Sequence, residues 1–111
     1  AQPATLKPNE SETITLVVGD DIASADAKGY TAQVTLRIQA SPGSGQHDLI
    51  VRFNGRVLQN ERHDGNWIEY GLHPATVRKG PNRVVISHGL GALRNPVLRD
   101  LQVSVRYLRK N

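Results

Sequence analysis

The strongest constraint on this chain is a side-chain alternation of period two, repeated in short stretches separated by turn residues. In "QVTLRIQ" (residues 33–39) Val34, Leu36 and Ile38 fall on one face, and Thr35 and Arg37 on the other. "DLQVSVRYL" (100–108) repeats the pattern, with Leu101, Val103, Val105 and Tyr107 inward and Gln102, Ser104 and Arg106 outward. "TITLVV" (13–18) alternates before becoming continuously apolar, and "WIEYGL" (67–72) and "NRVVIS" (82–87) read as further strands. Strands that bury a single face belong to antiparallel sheets.

The turns agree. In "LIVRFNGRVLQ" (49–59) Asn54-Gly55 can adopt the positive φ angles of a two-residue hairpin loop. That loop sets Phe53 opposite Arg56, Arg52 opposite Val57 and Val51 opposite Leu58. "HPATVRKGPN" (73–82), "SPGSGQ" (41–46) and "SHGLGALRNP" (87–96) carry the Gly and Pro of loops, and Gly80 and Asn82 shape the turn entering the next strand. Only "DDIASADAKGY" (20–30) offers a short helix, in competition with a loop. Six or seven short strands in 111 residues predict an all-β fold, an antiparallel two-sheet β-sandwich of jelly-roll type.

Length allows one domain with one core, expected over residues 13–111, with 1–12 ("AQPATLKPNESE") as a linker-like segment. The chain contains no cysteine, so disulfides, zinc–thiolate clusters and thiol nucleophiles are excluded. It also contains no methionine, even at position 1, which reads as a piece of a longer protein. The opening residues have none of the apolar run of a membrane span. A net charge of +4, with 14 Lys+Arg against 10 Asp+Glu, favours acidic partners without specifying one. Nucleic acid is not expected: basic and aromatic residues do not interleave, and there is no recognition helix or zinc-finger spacing.

The candidate site lies in the polar run leading to the single tryptophan. A sugar site needs an aromatic face for the C–H side of a pyranose and planar polar groups for its hydroxyls. Asn60, Glu61, Arg62, His63, Asp64 and Asn66 supply the latter beside Trp67, and the alternation of "WIEYGL" turns Trp67 outward with Glu69 while Ile68, Tyr70 and Leu72 face the core. Arg37, Arg52 and Arg106 each occupy the polar face of a strand. If those strands are neighbours, they form a basic stripe suited to an anionic glycan.

Catalysis has little to rest on. Glu69 with Asp64 or Asp48 is the one pair of carboxyls in prospect, and Ser87, His88 and Asp100 lack a nucleophile elbow. The domain is expected to be noncatalytic. The four histidines show no metal-ligand spacing, and no cofactor is expected.

Three stretches, "HDLIVRFNGRVL" (47–58), "NWIEYGLHPATVRKGPNRVVIS" (66–87) and "LRDLQVSVRYL" (98–108), together resemble the galactose-binding-domain-like jelly rolls that serve glycoside hydrolases as carbohydrate-binding modules. The resemblance implies an accessory module of a larger polysaccharide-active protein, secreted or in the cell envelope, with a neutral or anionic polysaccharide as partner. It also implies a possible structural calcium, for which Asp20, Asp21 and Asp26 are the weak candidates. The alternative is an interaction domain that packs on a neighbouring catalytic domain and has no ligand of its own.

Overall fold

The computed structural model of the chain describes residues 4–41, 49–90, 92 and 95–110. Two antiparallel sheets pack face to face. The strands are β1 (Ala4–Thr5), β2 (Ser11–Val18), β3 (Tyr30–Ser41), β4 (Leu49–Phe53), β5 (Arg56–Val57), β6 (Arg62–Asp64), β7 (Trp67–Leu72), β8 (Gly80–His88) and β9 (Val97–Arg109). A helix, α1 (Ile22–Ala27), and a 3₁₀ turn over Pro74–Thr76 complete the described elements. One sheet has the order β1-β9-β3-β7-β6 and the other β2-β8-β4-β5.

The alternation in the sequence becomes the core. Val34, Leu36, Ile38 and Ala40 of β3 and Ile68, Tyr70 and Leu72 of β7 meet Val51 and Phe53 of β4 and Val84 and Ile86 of β8. Leu36, Ile38, Val84 and Ile86 are fully buried, each contributing roughly 1.5–3 kcal/mol over an exposed side chain.

The Asn54-Gly55 turn forms as expected, with φ of 49° and 87°, and the register sets Arg52 opposite Val57 and Phe53 opposite Arg56. The Asn54 side chain also ties this turn to the next loop. Its Oδ1 accepts from the Arg83 N–H at 2.8 Å, and its Nδ2 donates to the Thr76 carbonyl at 2.8 Å and to Asn82 Oδ1 at 3.0 Å. Asn82, 1 % exposed, in turn accepts from the Arg78 N–H and donates to the carbonyls of Arg78 and Gly80. Buried amides persist where every donor and acceptor is satisfied, and this one is.

Two expectations need correction. The first twelve residues are not all linker: β1 pairs with β9, Leu6 is buried in the core, and β2 already begins at Ser11. Leu6 is a lone apolar anchor, so no periodicity announces it. Tyr107, expected inward, is 42 % exposed, because alternation sets which way a side chain points but not whether anything covers it there. The ladder of β3 and β9 also slips by one residue between Gln39 and Ala40: Gln39 faces Asp100 and Ala40 faces Leu98, leaving Arg99 as the extra residue of a bulge.

Candidate functional site

The site is built on β7. Its alternation sends Ile68, Tyr70 and Leu72 into the core, so Trp67, Glu69 and Gly71 lie on the outer face of the five-stranded sheet. On one side β6 returns through a tight Gly65-Asn66 turn, with Gly65 at φ 61°, and sets Arg62 opposite Glu69 and Asp64 opposite Trp67. On the other side β3 places Arg37 opposite Glu69 and Gln39 opposite Trp67, and β9 places Gln102 opposite Arg37. The strand register thus lines up Arg62, Glu69, Arg37 and Gln102 across four strands.

Electrostatics fix that row. The Glu69 carboxylate lies between two guanidinium groups, with Arg37 Nε 2.7 Å from Oε2 and Arg62 Nη2 donating to Oε1 at 3.2 Å. Arg37 Nε is close enough for an ion pair, but its N–H is poorly aligned for a hydrogen bond. The side chains of Arg37 and Glu69 are only 27 % and 16 % exposed, whereas that of Arg62 is 80 % exposed. The Arg37 guanidinium carbon also lies 4.4 Å from the Trp67 ring centroid, a cation–π contact worth about 0.5–2 kcal/mol. Arg37 is therefore clamped between a carboxylate and an indole, and one face of Trp67 is covered by it.

Beside this row the outer face opens into a groove of about 550 Å³. Thr35 and Gly71 lie on its floor, Asn60, Arg62 and Glu69 along one wall, and Gln33 and Arg106 along the other. A Cβ placed on Gly71 would meet nothing within 4 Å, so the missing side chain leaves open space above the strand rather than relieving a clash in the core.

The structure divides the predicted site residues. Asn60, Arg62 and Glu69 line the groove, while Trp67 and Asp64 stand one row further along the same face. His63 has the opposite parity to Arg62 and lies with Nε2 3.9 Å from Glu61 Oε1, turned away from the groove.

The stripe of Arg37, Arg52 and Arg106 does not form. Arg37 and Arg106 share the outer face of the five-stranded sheet, but Arg52 lies on β4 between buried Val51 and Phe53, on the outer face of the other sheet. Of the weak calcium candidates, Asp20 accepts the Tyr107 hydroxyl at 2.8 Å and Asp21 accepts the Ser24 N–H at the start of α1. The Asp26 side chain lies outside the described residues, and among those described no three His, Asp or Glu converge as a metal site.

Ser87, His88 and Asp100 do not assemble. The Ser87 hydroxyl bonds Ser11, and the ring nitrogens of buried His88 bond the Gly89 carbonyl and Asn95. Asp48 lies outside the described residues.

Sequence reasoning missed the groove floor and a part-buried pair on the core-facing side of β7. The Tyr70 hydroxyl donates to Glu61 Oε2 at 3.1 Å, and burial followed by the neighbouring Glu61 charge pushes the Tyr70 phenol well above its ordinary range. No local signal announces this pair, whose members are nine residues apart and meet only because β6 folds back on β7.

Comparison of the chain with protein-family models and with curated protein sequences gives no match.

Proposed function

We propose that this domain is a noncatalytic carbohydrate-binding module of a larger polysaccharide-active protein, secreted or held in the cell envelope, and that it takes glycan in the groove above Gly71. The jelly-roll, galactose-binding-like assignment belongs to the same reading, supported by the three quoted stretches and by the pair of antiparallel sheets.

The observation that carries the proposal is the pairing of the open space above Gly71 with polar groups along the groove wall. Gly71 gives access to the strand. Glu69, held by Arg37 and Arg62, offers an oriented acceptor, and Arg62, Asn60 and Gln33 offer donors. Groups already locked by neighbours lose little freedom when a ligand arrives. A shallow site with a few hydrogen bonds, and with Trp67 one row beyond it, supports weak binding, on the order of −5 kcal/mol or a sub-millimolar Kd.

One observation favours the alternative, an interaction domain with no ligand of its own: Arg37 already covers a face of Trp67. Titrating neutral and acidic polysaccharides against Trp67 fluorescence separates the two readings. Glycan binding predicts a saturable change in the intact domain and its loss in Gly71→Leu, whose added side chain fills the groove while the melting temperature is preserved. Salt will weaken an acidic glycan and spare a neutral one. Silence across the panel removes the glycan reading.

A further inference from the structure

Charge changes sign along the outer face of the five-stranded sheet. The register sets Asp64, Trp67, Gln39 and Asp100 in one row, and Arg62, Glu69, Arg37 and Gln102 in the next. Beyond them come Gly71, Thr35 and Ser104, and then Gln33 with Arg106. Both aspartates therefore lie on the side of the Glu69 row away from the groove. The Asp100 carboxylate is also engaged, Oδ1 by the Leu101 N–H at 2.8 Å and Oδ2 by Gln102 Nε2 at 3.2 Å.

Around the groove the balance is positive. Among the described residues that line it Glu69 is the one carboxylate, and two guanidinium groups, those of Arg37 and Arg62, oppose its single charge. One positive charge is left over, and Arg106 on the opposite wall adds a second. The Arg106 side chain is exposed, and among the described residues no hydrogen bond or ion pair engages it. Arg62, 80 % exposed, reaches Glu69 through Nη2 and keeps its other N–H groups for a ligand. The two walls stand four residues apart along β3, from Arg37 to Gln33, or about 13 Å of strand.

We propose that the groove selects acidic glycans, chains whose carboxylate or sulfate groups pair with Arg106 on one wall and with Arg62 on the other. The proposal rests on the glycan reading and names the class of sugar. A guanidinium holds its N–H donors in a planar fork that meets a carboxylate or sulfate in two parallel hydrogen bonds. A neutral chain can hydrogen-bond Glu69, Asn60 and Gln33 in the same way as an acidic one, but it leaves the Arg106 charge unanswered. Glu69 does not repel the acidic chain, because Arg37 at 2.7 Å and Arg62 at 3.2 Å offset its charge while its oxygens still accept from sugar hydroxyls.

Isothermal titration of the whole chain with matched polysaccharides tests this: polygalacturonate against its methyl-esterified form, and dextran sulfate against dextran. Each pair keeps the backbone and removes the charge, and the two acidic members separate carboxylate from sulfate. Wild type should bind at least one acidic member about fivefold or more tightly than its neutral counterpart. Arg106→Gln should abolish that preference and leave neutral binding unchanged. Arg52→Gln removes the same charge from the outer face of the other sheet and should alter neither. Arg52 and Arg106 are both exposed, so each variant keeps the fold. Neutral binding as tight as acidic binding overturns the proposal and leaves the glycan reading standing. An Arg106→Gln variant that keeps the preference, or loses no more of it than Arg52→Gln does, also overturns it, because the attraction would then be to the net charge of the chain. Silence with all four polysaccharides overturns both.

Discussion

Replacing Asn82 with alanine tests how much of the sandwich depends on one buried amide. Asn82 makes four hydrogen bonds: Oδ1 accepts from the Arg78 N–H at 2.8 Å and from Asn54 Nδ2 at 3.0 Å, and Nδ2 donates to the Arg78 carbonyl at 2.9 Å and the Gly80 carbonyl at 3.0 Å. At about 1 kcal/mol per net hydrogen bond the loss totals about 4 kcal/mol. Part is recovered, since Asn54 Nδ2 keeps the Thr76 carbonyl and Arg78 sits at the surface where water can replace a partner. A destabilisation of about 3 kcal/mol is therefore expected. Urea unfolding followed by the fluorescence of Trp67, which lies on the other sheet, measures it. With an m-value of about 1.5 kcal/mol/M the midpoint should fall by about 2 M. A fall below about 0.5 M would refute the reasoning, because it would mean that the 3₁₀ turn and the Asn54 hairpin hold their places without the amide.

Two further perturbations probe the site. Arg37→Ala should cost about 1–2 kcal/mol, uncover the Trp67 ring, and increase its quenching by acrylamide, whereas unchanged quenching would mean that the guanidinium does not shield the indole in solution. Because the folded state holds the Tyr70 phenol above its unfolded value, it binds that proton more tightly than the unfolded chain does. The resulting stability is complete below the ordinary phenol range near pH 10 and is lost as pH rises beyond it, so unfolding at pH 8 and at pH 11 should differ in wild type and differ less in Tyr70→Phe.

Much of the scaffold is legible along the chain because its signals are local. Period-two alternation in 33–39, 67–72 and 100–108 and the Asn54-Gly55 turn place β3, β7, β9 and the β4–β5 hairpin, and they turn Trp67 outward with Glu69. What stays hidden depends on register between distant segments. That Arg37 would meet Glu69 and Trp67 follows only once β3 and β7 are aligned, and Arg52, alike in local pattern, goes to the other sheet. β6 is hidden for another reason: Arg62, His63 and Asp64 are all exposed at a sheet edge, so burial imposes no alternation and the segment reads as loop. Gly71 looks like a weak strand residue in sequence, and only the open space above it marks the groove.

The bulge at Arg99 acts as a phase break in the longest strand of the molecule. Upstream of it Leu98 faces the core beside β1, and downstream Leu101, Val103 and Val105 do so with the opposite numbering parity. Each half of β9 thus keeps its own alignment on β3, and a slip in the Ala4–Thr5 strap need not propagate past Asp100. Deleting Arg99 would join the halves into one regular ladder, with Leu98 still opposite Ala40 and Asp100 still opposite Gln39, and would take away the local bend and twist that the extra residue imposes.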